Sequence, residues 1–374
     1  MKIGILGATG TAGLEFVRAL TGHPWFEITE LYASAKSVGK TVEEACSVDI
    51  RRELHTLPDT VLGMTVKGLD NISSGIDLLC SALPSDVAKD VEGECAVHTP
   101  VVSTTSAYRY DEDVPIMITE VNADHYKALE LQKKRGWKGW IAPGPNCTTV
   151  GLVMSLYPLL HTVGINKVIM SSYQSVSGGG SDLIQKWKSQ KKAELPTPLE
   201  GEVPLETVNV MVEGNVIGYI EKEEEKVQKE TRKILGSYHD SLFIPNILRV
   251  DCSCVRVPTL YGHFETVFVE TTENCSAETV KLLWEQYNVL WNEKYGNLPS
   301  SPKKTIHVME RTPQPYFDAF AGGGMSIVTG RVEKTVFSNG IKYQVLSNNT
   351  KKGAAKGMIQ VAEYLYSIGF LREK

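Results

Sequence analysis

Lys2-Ile3-Gly4-Ile5-Leu6-Gly7-Ala8-Thr9-Gly10-Thr11-Ala12-Gly13 reads as an apolar strand, residues 2–6, running straight into glycines at positions 7, 10 and 13. Leu14-Glu15-Phe16-Val17-Arg18-Ala19-Leu20 follows with helical spacing, and residues 28–33 read as a second strand. Glycines at this spacing permit a tight turn, close backbone approach to a pyrophosphate and close helix packing. The helix start adds unpaired N–H groups and the positive end of its dipole. The same glycines would serve a turn without ligand. The strand before them and the helix after them favour a nucleotide, with Gly7, Thr9, Gly10, Thr11, Ala12 and Gly13 as the predicted cradle.

The second strand runs into Ala33-Ser34-Ala35-Lys36-Ser37-Val38-Gly39-Lys40, which has two serines, two lysines and no acid. NAD binders place Asp or Glu there to hold the ribose hydroxyls. An anionic 2′-phosphate suits the residues present, so NADP(H) is the expected cofactor, near Ser34, Lys36 and Ser37. The lysines would otherwise be an ordinary exposed loop.

Alternation continues with a strand at 77–83, a helix from Ser85 to Ala96, and strands at 99–103 and 140–142. That pattern predicts a doubly wound parallel sheet. After about residue 160 the pattern turns β-rich, with strands at 167–176, 249–257, 264–271 and within 325–347. Helices are expected at 221–235, 277–291 and 353–370, the last with Ala355, Met358, Ile359, Ala362 and Leu365 on one stripe. The fold class is therefore α/β: an N-terminal Rossmann-type sheet plus an α+β domain.

A chain of 374 residues suits two domains. A net charge of −5 gives no footprint for nucleic acid, and no apolar run is long enough to span a membrane. The first residues are too short and glycine-rich for a signal peptide. Seven cysteines at irregular spacing argue against a disulfide framework and for a reducing, cytoplasmic compartment. No cysteine pair has zinc-ligand spacing, so no metal is expected.

Asn146-Cys147-Thr148-Thr149 lies between a Pro-Gly-Pro turn and the apolar run 150–154. That run predicts a helix with Asn146 as N-cap and Cys147 in its first turn. Backbone N–H groups and the dipole there favour the thiolate, the reactive form. A buried structural thiol is the plainer alternative. Arg256 and His263 bracket a Pro258–Gly262 turn, which lets a guanidinium fork and an imidazole converge. Gln174 ends a strand beside Ser177-Gly178-Gly179-Gly180. The acidic and basic run at 221–235 reads first as a solvated helix face.

In their order these segments resemble the aspartate-β-semialdehyde dehydrogenase family, in its archaeal and fungal-type branch. The resemblance runs nearly end to end, through residues 7–10, 34–40, 108–109, 146–149, 230–235, 256–263, 322–325 and 352–355. It implies Cys147 as nucleophile, Gln174 as its orienting neighbour and His263 as acid/base. It also implies Arg256 on a substrate carboxylate, Glu230 on its ammonium group, and Arg109, Lys233 and Asn146 at the remaining substrate positions. Ser177, Gly178 and Asn349 would complete the cofactor site. Glu230 and Lys233 stand three apart, so one helix could turn both toward the site, which revises the solvated-face reading.

The implied reaction is NADPH-dependent reductive dephosphorylation of aspartyl-4-phosphate through a Cys147 thioester, in lysine, threonine and methionine biosynthesis. The implied domains are 1–146, completed by about 349–374 as the C-terminal helix returns to the nucleotide domain, and 147–348 for catalysis and dimerisation. The implied partners are a small-molecule substrate and further copies of the chain, as a dimer or tetramer. Residues 181–220 depart from the family pattern. An acyl-CoA reductase of the same fold, acting on malonyl- or succinyl-CoA, and a non-catalytic NADP-binding sensor are the rival readings.

Overall fold

The computed structural model describes residues 1–46, 57–192, 211–239 and 242–373. Part of the departing 181–220 stretch, residues 193–210, lies outside them.

Six short parallel strands form the first sheet: β1 (Lys2–Leu6), β2 (Glu27–Ala33), β3 (Val66–Gly68), β4 (Leu78–Ser81), β5 (Val101–Ser103) and β6 (Ile141–Pro143). Their order is β3-β2-β1-β4-β5-β6, so the winding reverses between β1 and β4. Helix α1 (Thr11–Leu20) follows β1, and α2 (Ser85–Ala96) follows β4. Because the two connections leave in opposite directions, a crevice opens at the carboxyl ends of the strands. The glycine turn hangs over that crevice. β4 is buried along its whole length, as a strand covered on both faces must be.

Three residues after β6, α3 (Cys147–Leu160) begins and leaves the first sheet for the second. It is apolar on every side, and all but three of its residues are buried: Cys147, Tyr157 and Leu160 are the exceptions. It packs on a six-stranded mixed sheet of order β10-β7-β11-β14-β13-β12. The strands are β7 (Ile165–Gln174), β10 (Arg249–Arg256), β11 (His263–Thr271), β12 (Ile306–Met309), β13 (Ile327–Lys334) and β14 (Gly340–Ser347). A small hairpin, β8 (Ser237–His239) and β9 (Leu242–Ile244), stands apart. Helices α4 (Gly180–Gln190), α5 (Glu223–Ile234) and α6 (Ala277–Tyr295) complete this half. Trp284 of α6 is fully buried and its indole N–H donates to the Ser155 carbonyl of α3 at 2.9 Å. Each fully buried Leu, Ile or Val in this core contributes about 1.5–3 kcal/mol.

The chain ends by returning to the first sheet. α7 (Ala355–Ser367) packs on α1 and β5, and its stripe of Met358, Ile359, Ala362 and Leu365 joins Ile3, Ile5, Leu14 and Val17 in one core. The parallel sheet, the mixed second sheet and the returning helix agree with the sequence-based fold. Strands β3 and β12 and the β8–β9 hairpin are absent from that reading, because three or four residues are too few to show a period of two. The helix at 223–234 corrects the solvated-face reading, since Glu223, Val227, Glu230, Thr231 and Ile234 of α5 are all buried.

Gly7 sits at φ +76, in the left-handed region, and a Cβ on Gly13 would lie 2.0 Å from the Gly7 carbonyl oxygen. That neighbour is backbone and cannot swing away. Gly13→Ala is expected to lower stability by about 1–3 kcal/mol and to weaken NADPH binding. Urea denaturation and cofactor titration check this; an unchanged midpoint would mean the turn relaxes freely.

Candidate active site

Strand register gathers the second sheet's polar residues at one end. β10 runs parallel to β7 with Arg256 opposite Gln174, and β11 runs antiparallel to both β7 and β14 with His263 opposite Ser347. Gln174, Arg256 and His263 are therefore terminal residues of three adjacent strands. α3 starts beside them. Asn146 caps it, its side-chain oxygen accepting from Thr148 N at 2.8 Å.

Cys147 Sγ lies 3.1 Å from His263 Nε2. The other ring nitrogen, Nδ1, accepts the backbone N–H of Ser175 at 3.1 Å. A backbone N–H only donates, so Nδ1 carries no proton and the neutral ring holds its proton on Nε2, facing the sulfur. His263 is fully buried. Burial and the nearby Arg256 charge push its pKa down to about 3. The ring is thus a neutral hydrogen-bond donor to Cys147. Burial pushes the Cys147 thiol up to about 12, with Glu223 adding to the rise, while Arg256 and Arg109 pull it down. Desolvation of the sulfur therefore opposes the thiolate that the helix terminus favours.

Arg256 donates from Nη1 to the Ser175 carbonyl at 2.9 Å. A Cβ on Gly178 would lie 2.8 Å from that Nη1 and 3.0 Å from His263 Cε1, so any side chain there would displace the guanidinium. Arg109 is buried, donating to Glu230 Oε1 at 3.2 Å and to the Thr104 carbonyl at 2.9 Å. Its Nε is buried without a hydrogen-bond partner among the described residues. Glu230 is fully buried and also accepts Tyr110 Oη at 3.2 Å and the Asn146 N–H at 2.5 Å. It stands behind Arg109 and Asn146.

Lys233 meets the backbone of the same segment. Its ammonium donates to the carbonyls of Arg109 and Asp111, both at 2.8 Å. Burial pushes it down to about 8. Glu230 holds the Arg109 side chain and Lys233 its backbone, so both residues of α5 meet the Arg109 segment. Gln174 is buried, with its NH2 donating to Ser172 Oγ at 3.3 Å and Glu223 Oε1 at 3.2 Å. Glu223 escaped the sequence reading because it opens a run of acids, Glu223-Glu224-Glu225, that nothing in the pattern separates. Ser175 escaped it as one small polar residue in a loop.

A cleft of about 280 Å³ joins the two halves. Thr11 and Ala12 of α1 form one wall, and Arg109, Asn146 and Cys147 form the other. Ser177, Gly178 and Asn349 lie along it. Asn349 ties these loops together, accepting from Ser175 Oγ at 3.1 Å and Gly262 N at 3.0 Å and donating to Ser177 Oγ at 2.9 Å, with one amide N–H left over. At the other end Gly10 starts α1 without a side-chain cap, leaving first-turn N–H groups for a pyrophosphate. Ser34 and Lys36 are exposed beyond β2 and Ser37 is buried. These residues fit a dinucleotide.

A dinucleotide fold whose crevice opens onto a cysteine–histidine pair defines an oxidoreductase. Two family models match, semialdehyde dehydrogenase NAD binding domain over residues 2–129 and semialdehyde dehydrogenase dimerisation domain over 156–352. The chain is 40% identical to an aspartate-semialdehyde dehydrogenase of Archaeoglobus fulgidus over 97% of both chains. It is 31% identical to a malonyl CoA reductase (NADP) of Metallosphaera sedula over 100% of this chain and 99% of that one. The crystal structure of aspartate semialdehyde dehydrogenase with NADP from Candida albicans superposes with a TM-score of 0.81 at 31% identity, covering 99% of each chain. The chain belongs to the aspartate-semialdehyde dehydrogenase family and carries its dimerisation domain.

His263 should stay neutral far below the usual imidazole range. Its depressed pKa means that the unfolded chain binds the proton first as pH falls through about 6.5, so this group's contribution makes stability decline from there toward pH 3. Nitrogen-15 NMR of labelled histidine should show the Nε2–H form unchanged from pH 8 to about 4.5. Titration near 6.5 would contradict the buried-donor geometry.

Proposed function

We propose that this chain catalyses the NADPH-dependent reduction of L-aspartyl-4-phosphate to L-aspartate-4-semialdehyde, with release of phosphate, in aspartate-family amino-acid biosynthesis. The observation that carries the reading is one cleft bounded by both Cys147 and the open N-terminus of α1. The archaeal and fungal relatives and the NADP-bound neighbour support it.

In the first step the Cys147 sulfur bonds to the acyl carbon and the bond from that carbon to the phosphate oxygen breaks. The thiol proton leaves with the phosphate. Arg109, buried with an unpartnered Nε, offers the leaving group a cation. Arg256 offers its guanidinium to the substrate carboxylate. NADPH, when bound, supplies the hydride for the second step, with Ser34, Lys36 and Ser37 at its 2′-phosphate. His263 meets the developing oxygen with the Nε2–H that its Ser175 bond enforces. Collapse then breaks the carbon–sulfur bond and frees the aldehyde, and a proton from water restores the thiol. Gln174 holds the acyl group from the side of β7. Glu230 and Lys233 act through Arg109.

Residues 1–146 with 349–374 are the proposed nucleotide domain, and 147–348 the catalytic and dimerisation domain. The outer face of the second sheet, where Ile169 is 57% exposed and Tyr173 lies 5.8 Å from Phe264 ring to ring, is the proposed surface for a dimer or tetramer. A reducing cytoplasm suits the thiols of Cys147, Cys252 and Cys254, which form no disulfides.

The Metallosphaera relative makes malonyl-CoA the competing substrate. Purified protein should reduce NADP with the semialdehyde and phosphate, and Cys147→Ala should abolish turnover while keeping NADPH affinity within about twofold. Turnover of malonyl-CoA with none of the semialdehyde would assign the other substrate.

A further inference from the structure

Glu223 belongs to no motif, yet it is 6% exposed and bonded to two amides, those of Asn146, the neighbour of Cys147, and Gln174. Its Oε1 accepts from Asn146 Nδ2 at 2.8 Å and from Gln174 Nε2 at 3.2 Å. On its outer side Lys226 Nζ stands 3.5 Å from Oε2. A carboxylate only accepts, so it turns both NH2 groups toward itself. That leaves the Asn146 oxygen for the Thr148 N–H and the start of α3. Among the described residues no group donates to the Gln174 side-chain oxygen.

We propose that Glu223 is a positioning residue of the active site, setting the orientation of the Asn146 and Gln174 amides and placing a negative charge near the Cys147 thiol. The inference rests on Cys147 as the reacting group and on no particular substrate. The other groups that face this turn are His263 from β11, Arg256 from β10, Arg109 from the segment after β5, Glu230 of α5 through the Asn146 N–H, and Glu15 of α1 across the cleft. The two guanidinium groups favour the thiolate and Glu223 opposes it. Glu223 thereby favours the protonated thiol, the form that reacts more slowly with oxidants.

A reagent that needs no substrate reads this balance. Cys147 alkylation by iodoacetamide, followed by peptide mass spectrometry at pH 8, should run about tenfold faster in Glu223→Gln than in wild type, as a fall of about one pKa unit requires. Glu223→Asp keeps the charge and should stay within about threefold of wild type. Equal rates in wild type and Glu223→Gln, or equal acceleration in both variants, would overturn the role. Steady-state kinetics give the second readout. Glu223→Ala removes the acceptor that the two amide NH2 groups share, so kcat should fall at least about tenfold with the KM for NADPH unchanged, and Glu223→Gln should recover part of it. A proportional rise in the NADPH KM would reduce Glu223 to general support. Absence of aspartyl phosphate turnover would reject the substrate while leaving the alkylation result standing.

Discussion

Asn146 is tied on three sides, and the position of Cys147 depends on it. Its side-chain oxygen caps α3 through Thr148 N, its side-chain NH2 goes to Glu223, and its own backbone N–H goes to Glu230. The turn it occupies links β6, the last strand of the nucleotide sheet, to α3, the helix at the heart of the second core. Every other feature of the cleft is arranged around that junction. The winding reversal between β1 and β4 supplies the nucleotide wall. The register of β7, β10 and β11 brings three polar strand ends to the sulfur.

The electrostatics of the site follow from burial. Burial and the nearby Arg256 push the His263 pKa down and desolvation pushes the Cys147 thiol up, so both shifts favour the neutral pair. Arg109 is bonded to Glu230 of α5, and its Nε has no hydrogen-bond partner among the described residues. An incoming phosphate would complete its pairing. The site is therefore charged to receive its substrate more than to activate its nucleophile in advance.

Much of the fold was legible because its signals are local. Gly7, Gly10 and Gly13 announce a turn by chemistry that no other residue replaces, and the stripe from Ala355 to Leu365 announces the helix that closes the first core. Cys147 was legible as a helix start because Asn146 is a cap. The thiol's ionisation was not, because burial is a property of the assembled protein. Lys233 and Glu230 look equivalent on a helical wheel, but Lys233 bonds the Arg109 backbone and Glu230 its side chain. Glu223 was invisible for the opposite reason: only the fold distinguishes it from Glu224 and Glu225.

The most direct measurement is intact-mass analysis after rapid acid quench of the enzyme with aspartyl phosphate and no NADPH. An adduct of one aspartyl group per subunit, mapped to Cys147 and matched by equal release of phosphate, is the predicted result. Phosphate release with no adduct, or an adduct on another residue, would contradict covalent catalysis at Cys147.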